Sequence, residues 1–380
     1  MDFDVAIIGG GSAGYAAASS AQSLGAKVAI IDPGPLGGLC ILKGCMPTKA
    51  ILRSSDIMAL MHRAKEFGIQ SVDAQAHLSA INDRKNKLIK EFADYRIEQL
   101  NSPRFTLIEE RAQFISPHEI QIGNKLLKAR SFIIATGSVI ANYSVPGLKE
   151  TGFVTSDDIL KMREAPDSII VLGAGAVAVE LAQFLLRIGV KVTLLQRSEH
   201  ILSKGDEDLA KPVESRFREE GMDLYTGTKI LRAEKKPEGS VIYFEHEGKE
   251  KKVRAQYILQ ALGRRPNIDN LQLESAKIET QKSCIPVDSK MKTNQPHIYA
   301  VGDVNGIHEV VHIAIQQGEI AGYNAINSEN ERELDNRLKA SVVFTDPGVA
   351  SVGLSEKECK ANNIAYLAAS YSFDDHGKSM

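Results

Sequence analysis

The sequence predicts an α/β fold built on two Rossmann-like dinucleotide-binding domains. Three observations carry that expectation. An apolar strand running into a Gly-rich turn and a helix occurs near the N-terminus and again from residue 168. The third is composition: 380 residues, 43% apolar and 25% charged, suit a globular chain of two or three domains and argue against disorder, collagen or coiled coil.

The first unit opens with Val5-Ala6-Ile7-Ile8, a β-branched run that reads as a buried strand. Gly9-Gly10-Gly11-Ser12-Ala13-Gly14 follows, then an Ala-rich helix from Tyr15 and a second strand, Lys27 to Ile31, ending in Asp32. In this context Gly9 serves a tight turn, Gly11 lets backbone approach a pyrophosphate, and Gly14 lets helix and strand pack closely. The free N–H groups of the helix start, at Ser12 and Ala13, suit phosphate. Asp32 suits a ribose diol. A Gly-rich turn alone is weak evidence; here strand, helix, second strand and terminal acid agree.

The second unit repeats the pattern. Ser168 to Leu172 is a strand, Gly173-Ala174-Gly175-Ala176-Val177-Ala178 the turn, and a helix runs to Arg187. Lys191 to Leu195 is the next strand, with Ala178 in place of the third glycine. The position matching Asp32 is Gln196, followed by Arg197, which favours NADP over NAD unless Arg197 is only a solvated surface charge. Two fingerprints imply two dinucleotides, as hydride transfer between nicotinamide and flavin needs. The alternative is an internal duplication serving one ligand.

The balance of 46 Lys plus Arg against 48 Asp plus Glu gives a net charge of −2, so neither nucleic acid nor an anionic membrane is an expected partner. Residues 5–26 are uncharged, but their glycines and serines do not make a lipid-facing helix. No basic segment of a secretory signal precedes them, and the cytoplasm is the expected location.

The four cysteines, Cys40, Cys45, Cys284 and Cys359, are too few for a secreted disulfide scaffold. Cys40 and Cys45 lie in Gly37-Gly38-Leu39-Cys40-Ile41-Leu42-Lys43-Gly44-Cys45-Met46-Pro47-Thr48-Lys49. Residues five apart on a regular helix point about 140° apart, so a bond between them needs an irregular turn, which Gly44 would provide. Pro47 suits a first helical turn. That places Cys45 just before a helix N-terminus, where the dipole, with Lys43 and Lys49, favours a thiolate. A lone CxxxxC is a poor zinc site. Taken alone the two residues read as unrelated thiols; beside a flavin fingerprint they read as a redox pair.

With these landmarks in order, the sequence resembles the class I pyridine nucleotide–disulfide oxidoreductases, the family of dihydrolipoamide dehydrogenase, mercuric reductase and glutathione reductase. The resemblance covers essentially the whole chain. It extends through Phe132 to Ser138 (with Ala135-Thr136-Gly137), Ala261 to Asn267 (with Gly263), Thr293 to Asp303 (with Gly302-Asp303) and Val342 to Pro347.

The resemblance implies an FAD domain from 1–145 and 265–335, an inserted NAD(P) domain at 146–264, and the beginning of an α+β interface domain at 336–380. It implies that Cys40 attacks the substrate disulfide and that Cys45 packs against the flavin. Lys49 would approach flavin N5 and pair with Glu180, and Asp303 would bond the ribityl or phosphate region. FAD would thus be held by Gly9, Gly11, Ser12, Ala13, Gly14, Asp32, Gly38, Lys49, Ala135, Thr136, Gly137, Gly302 and Asp303. NAD(P)(H) would be held by Gly173, Gly175, Ala178, Glu180, Gln196, Arg197 and Gly263. The activity implied is NAD(P)H:disulfide oxidoreduction on a small disulfide or thiol, of the dihydrolipoamide dehydrogenase kind, with mercuric reduction as the alternative. Relatives are homodimers.

Two departures stand out. Ala176 occupies the place of an aromatic gate, and the family's His base with its orienting Glu has no counterpart. His376 belongs to a different segment. The chain therefore reads as C-terminally truncated, with a catalytically incomplete FAD-binding fragment as the reading from another class. His308-Glu309-Val310-Val311-His312 also spells a zinc-protease motif, with Glu319 as a third ligand; its neighbourhood favours a helix against the flavin domain instead.

Overall fold

The computed structural model describes residues 1–70, 73–335, 337 and 339–373. The apolar run at the N-terminus forms the strand Phe3–Ile8, whose Val5, Ala6 and Ile7 are fully buried. It is central in a seven-stranded sheet, paired in parallel with Val28–Ile31 on one side and with Lys125–Ile134 on the other. Thr106–Ile108 extends one edge; Glu119–Ile122 and Ala112–Ser116 extend the other as an antiparallel meander. The upper half of Lys125–Ile134 also pairs with Ile298–Ala300, so the chain returns to this sheet after more than a hundred residues elsewhere.

Those intervening residues build a second sheet of four parallel strands in the order Asp223–Tyr225, Lys191–Leu195, Ser168–Leu172 and Tyr257–Gln260. Ile169 to Leu172 are fully buried, as the run of β-branched and leucine residues requires of a strand covered on both faces. A three-stranded antiparallel sheet, Lys229–Lys236, Gly239–His246 and Lys249–Ala255, packs beside it. The two parallel sheets are joined by the short pair Ser138–Ile140 and Arg264–Pro266.

The fingerprint helix Ser12–Ser23 begins three residues before Tyr15, directly after the glycines. Helix Val311–Asn324 lies against it at backbone contact: a Cβ on Gly318 would stand 2.2 Å from Ala13 O. The expectation of a helix there holds from Val311 onward. His308, Glu309 and Val310 precede the helix, outside any regular element, so the two histidines do not share a helical face. His312 instead meets the Ala340 carbonyl, and no cluster of three metal-capable side chains exists among the described residues.

The segment 50–100 is helical as expected, in Cys45–His62 and Leu78–Leu100. Beyond 336 the described residues form the hairpin Ala340–Val343 with Val349–Val352, then helix Glu356–Ala361. Part of the expected 336–380 domain, His376 included, lies outside the described residues. Among the described residues no helix is long and apolar enough to cross a membrane.

Candidate active site

The disulfide segment is held against the first fingerprint by glycine. A Cβ on Gly38 would stand 2.6 Å from the Gly11 Cα, so this approach requires glycine at position 38. Within the fingerprint itself, a Cβ on Gly14 would fall 1.8 Å from the Gly9 carbonyl oxygen, which brings the helix start onto the turn. Asp32 accepts from Gly10 N at 2.7 Å and from Gly34 N at 2.8 Å, each oxygen keeping lone pairs for a diol.

Two further loops close on the same place. Ala135 N donates to Ile8 O. Thr136 Oγ1 donates to Asn267 O at 2.7 Å, and Asn267 N to Gly137 O. Gly302 N donates to the buried Gln317 Oε1, and Gly302 itself lies beside Ala13. Asp303 Oδ2 accepts from Ser138 Oγ at 2.6 Å, and Arg264 Nε donates to the same hydroxyl at 2.8 Å. Ser138 and Arg264 join the site although no fingerprint marks them. Exposed helix N–H groups, a carboxylate at the second strand and one at the third loop form the donor and acceptor set a flavin dinucleotide needs, and the residues fit it.

After Gly38 a short helix, Gly38–Leu42, carries Cys40, and the chain turns at Gly44 into helix Cys45–His62. Cys45 is therefore the first residue of that helix rather than the one before it. Both cysteines are free thiols, within hydrogen-bond reach of each other. The Cys40 thiol donates to Cys45, and with the nearby Lys49 cation this lowers Cys45 from its ordinary value to about 6, against the effect of burial. The same hydrogen bond, then burial, push Cys40 up. Negative charge on the pair is thus favoured at Cys45 over Cys40. Lys43 pairs with Asp157 at 3.3 Å instead of facing the sulfurs.

Lys49 Nζ lies 2.6 Å from Glu180 Oε2, the pairing the resemblance implies, with Glu180 only 2% exposed on helix Ala176–Arg187. Its other oxygen accepts from Phe344 N at 2.9 Å, and the Phe344 ring lies 4.8 Å from Lys49 Nζ. Phe344 is a site residue that spacing gives no means of finding.

The second fingerprint has room. A Cβ on Gly175 would meet nothing within 4 Å, and Gly175, Ala176 and Val177 are exposed at the helix start. Ala178 is fully buried, as a residue replacing the packing glycine should be. Gln196 is the exception to the expected arrangement. It is 8% exposed and turns its amide toward His200 O and Ser203 Oγ, leaving Arg197 exposed at the strand end. Gly263 is exposed beside Tyr143.

A family model described as pyridine nucleotide-disulphide oxidoreductase matches residues 3–318. The chain belongs to that family. Among similar proteins, a mercuric reductase of Staphylococcus aureus is 34% identical over 94% of this chain and 66% of its own length. One of Bacillus cereus is 32% identical over 57% of its length. A dihydrolipoyl dehydrogenase of Bacillus subtilis is 32% identical over the whole chain and 83% of its own. The chain thus spans 57 to 66% of the length of these two mercuric reductases. In this pyridine nucleotide-disulphide oxidoreductase fold, the thiol pair sits where the first fingerprint, the disulfide helix and the second fingerprint helix converge.

Proposed function

We propose that the protein is an FAD-dependent NAD(P)H:disulfide oxidoreductase working through Cys40 and Cys45, with a small disulfide or thiol of the lipoamide/dihydrolipoamide couple as substrate. The observation that carries this reading is the placement of Cys40 and Cys45 on either side of a helix start, beside the Lys49–Glu180 ion pair. FAD would lie along Gly9, Gly11, Ser12, Ala13, Gly14, Asp32, Gly38, Lys49, Ala135, Thr136, Gly137, Gly302 and Asp303. NAD(P)H would lie along Gly173, Gly175, Ala178, Glu180, Gln196, Arg197 and Gly263. Bound there, FAD supplies the two-electron relay between nicotinamide and disulfide.

The chain's own residues do the thiol chemistry. Cys40 gives its proton to Cys45, attacks one sulfur of a substrate disulfide and releases the first half, which leaves as a thiol with that proton. Cys45, again a thiolate, then attacks Cys40, releases the second half as a thiolate and closes the Cys40–Cys45 bond. The pair gives up two electrons and one proton, and solvent protonates the second half, so two substrate thiols form. Lys49 holds Cys45 as the thiolate this second attack requires, and Glu180 fixes Lys49.

Exposed Arg197 favours NADPH, because it stands free at the end of the strand that receives the ribose. The return of Ile298–Ala300 to the first sheet supports an FAD domain of 1–145 with 265–335 and an inserted NAD(P) domain at 146–264. Exposed Val342, Phe344 and Val352 on the hairpin after residue 336 support homodimer formation there. The cytoplasm, where such a pair stays reduced, is the proposed location.

Mercuric ion is the second reading. Adjacent thiolates are soft ligands for a soft metal, and the mercuric reductases match at up to 34% identity. Assays of the FAD-loaded chain with lipoamide, glutathione disulfide and Hg²⁺, each with NADPH and NADH, separate these readings. Turnover of lipoamide supports the first, turnover of Hg²⁺ alone the second, and a chain inert to all three refutes both.

A further inference from the structure

Helix Ala176–Arg187 carries more than the fingerprint requires. Glu180, Gln183 and Arg187 are spaced three and four residues apart, so they share one face, and each is buried. That face meets the segment 344–347. Phe344 N donates to Glu180 Oε1. Gln183 exchanges two bonds with the backbone of Asp346, Nε2 donating to its carbonyl and Oε1 accepting from its N–H, both at 2.8 Å. Arg187 meets Asp346 Oδ2 and Glu220 Oε1 at 2.6 Å and Asp56 Oδ1 at 3.2 Å.

Asp56 belongs to the disulfide helix. It follows Lys49 by seven residues, as Arg187 follows Glu180 by seven. The two helices are therefore joined twice, at points about 10.5 Å apart along each axis, with acid and base exchanged. A single ion pair between two helices leaves them free to pivot about it. The second, locked from above by Asp346, removes that freedom.

We propose that Gln183, Arg187, Asp56 and Asp346 are positioning residues that fix the disulfide helix against the second fingerprint helix and so hold Lys49 at Cys45. None touches the sulfurs; each acts through the Lys49–Glu180 pair. The segment 344–347, beyond both nucleotide-binding sheets, is thereby part of the device that sets the reactivity of a thiol 300 residues earlier. This inference rests on the role given above to Lys49.

The test titrates Cys45 in the full chain carrying Cys40→Ser, so that one thiol of the pair remains. Alkylation by iodoacetamide is followed across pH by mass spectrometry of the peptide bearing residue 45, alongside the thermal unfolding midpoint. Lys49→Met should move the alkylation profile up by about one pH unit, and Gln183→Leu and Asp346→Asn by about half of that, in the same direction. Ile120→Ala, buried in the first sheet far from the site, should lower the midpoint without moving the profile. Should Gln183→Leu and Asp346→Asn behave like Ile120→Ala while Lys49→Met shifts, the latch is merely structural and the proposal is overturned. An unmoved profile in Lys49→Met overturns the role of Lys49 and the latch together.

Discussion

Lys49 and Glu180, 131 residues apart in sequence, form a 2.6 Å ion pair that joins the disulfide helix to the second nucleotide fingerprint. A carboxylate buried among Val179 and Leu181 needs such a partner, since an unpaired charge there is costly. The pair places a fixed cation next to the thiol pair and gives the disulfide segment a defined position relative to the nicotinamide site.

Glu180→Gln keeps the shape of the side chain and removes its charge. The rate of NAD(P)H-dependent disulfide reduction should fall tenfold or more, about 1.4 kcal/mol of barrier. Overall stability should change little, because Lys49 is one-third exposed and solvent screens the pair. Stopped-flow reduction against thermal unfolding checks both halves.

The thiol pair makes the dithiol form's stability pH-dependent. Cys45 is lowered from 9.0 to about 6. Between those values the unfolded chain holds one more proton than the folded one, so stability rises with pH. The gain is lost as pH falls through about 6. Above 9 the trend reverses, because Cys40 is raised and keeps its proton in the folded state. Thermal midpoints under reductant should climb from pH 6 to 9, and Cys45→Ser should flatten that climb.

The packing glycine and the phosphate-approach glycine of the fingerprint pattern should respond oppositely to the same small change. Gly14→Ala forces a Cβ to 1.8 Å from Gly9 O and should cost about 3 kcal/mol or prevent folding. Gly175→Ala has open space, so the chain should fold normally with a raised KM for nicotinamide dinucleotide. Circular dichroism melts and initial-rate kinetics tell these apart.

Arg197→Glu should shift the ratio of kcat/KM for NADPH over NADH toward NADH by about tenfold or more, corresponding to about 1.4 kcal/mol of lost phosphate contact. An unchanged ratio would assign Arg197 to the solvated surface.

Both parallel sheets were legible in the sequence because a buried strand followed by glycines and a helix is a local pattern. The strands Ser168–Leu172 and Lys191–Leu195 fall where their apolar runs end. Lys49 and Glu180 came through resemblance, and the burial of Glu180 gives that pairing its physical reason. Phe344, Ser138, Arg264 and the Gln183–Asp346 exchange were illegible: each depends on segments more than a hundred residues apart meeting in space. His308-Glu309-Val310-Val311-His312 shows the converse. Its spacing is that of a zinc helix, but the helix starts at Val311, so the letters match and the geometry does not.

The decisive measurement is anaerobic titration of the FAD-loaded, oxidised full chain with NADPH and with NADH, with alkylation at residues 40 and 45 quantified by mass spectrometry. One equivalent of reductant should open the bond between these sulfurs, make both alkylatable and bring up a long-wavelength absorption band that Cys45→Ser abolishes. Flavin bleaching with residues 40 and 45 still closed to alkylation would show that electrons bypass them, and the disulfide chemistry assigned to this chain would be wrong.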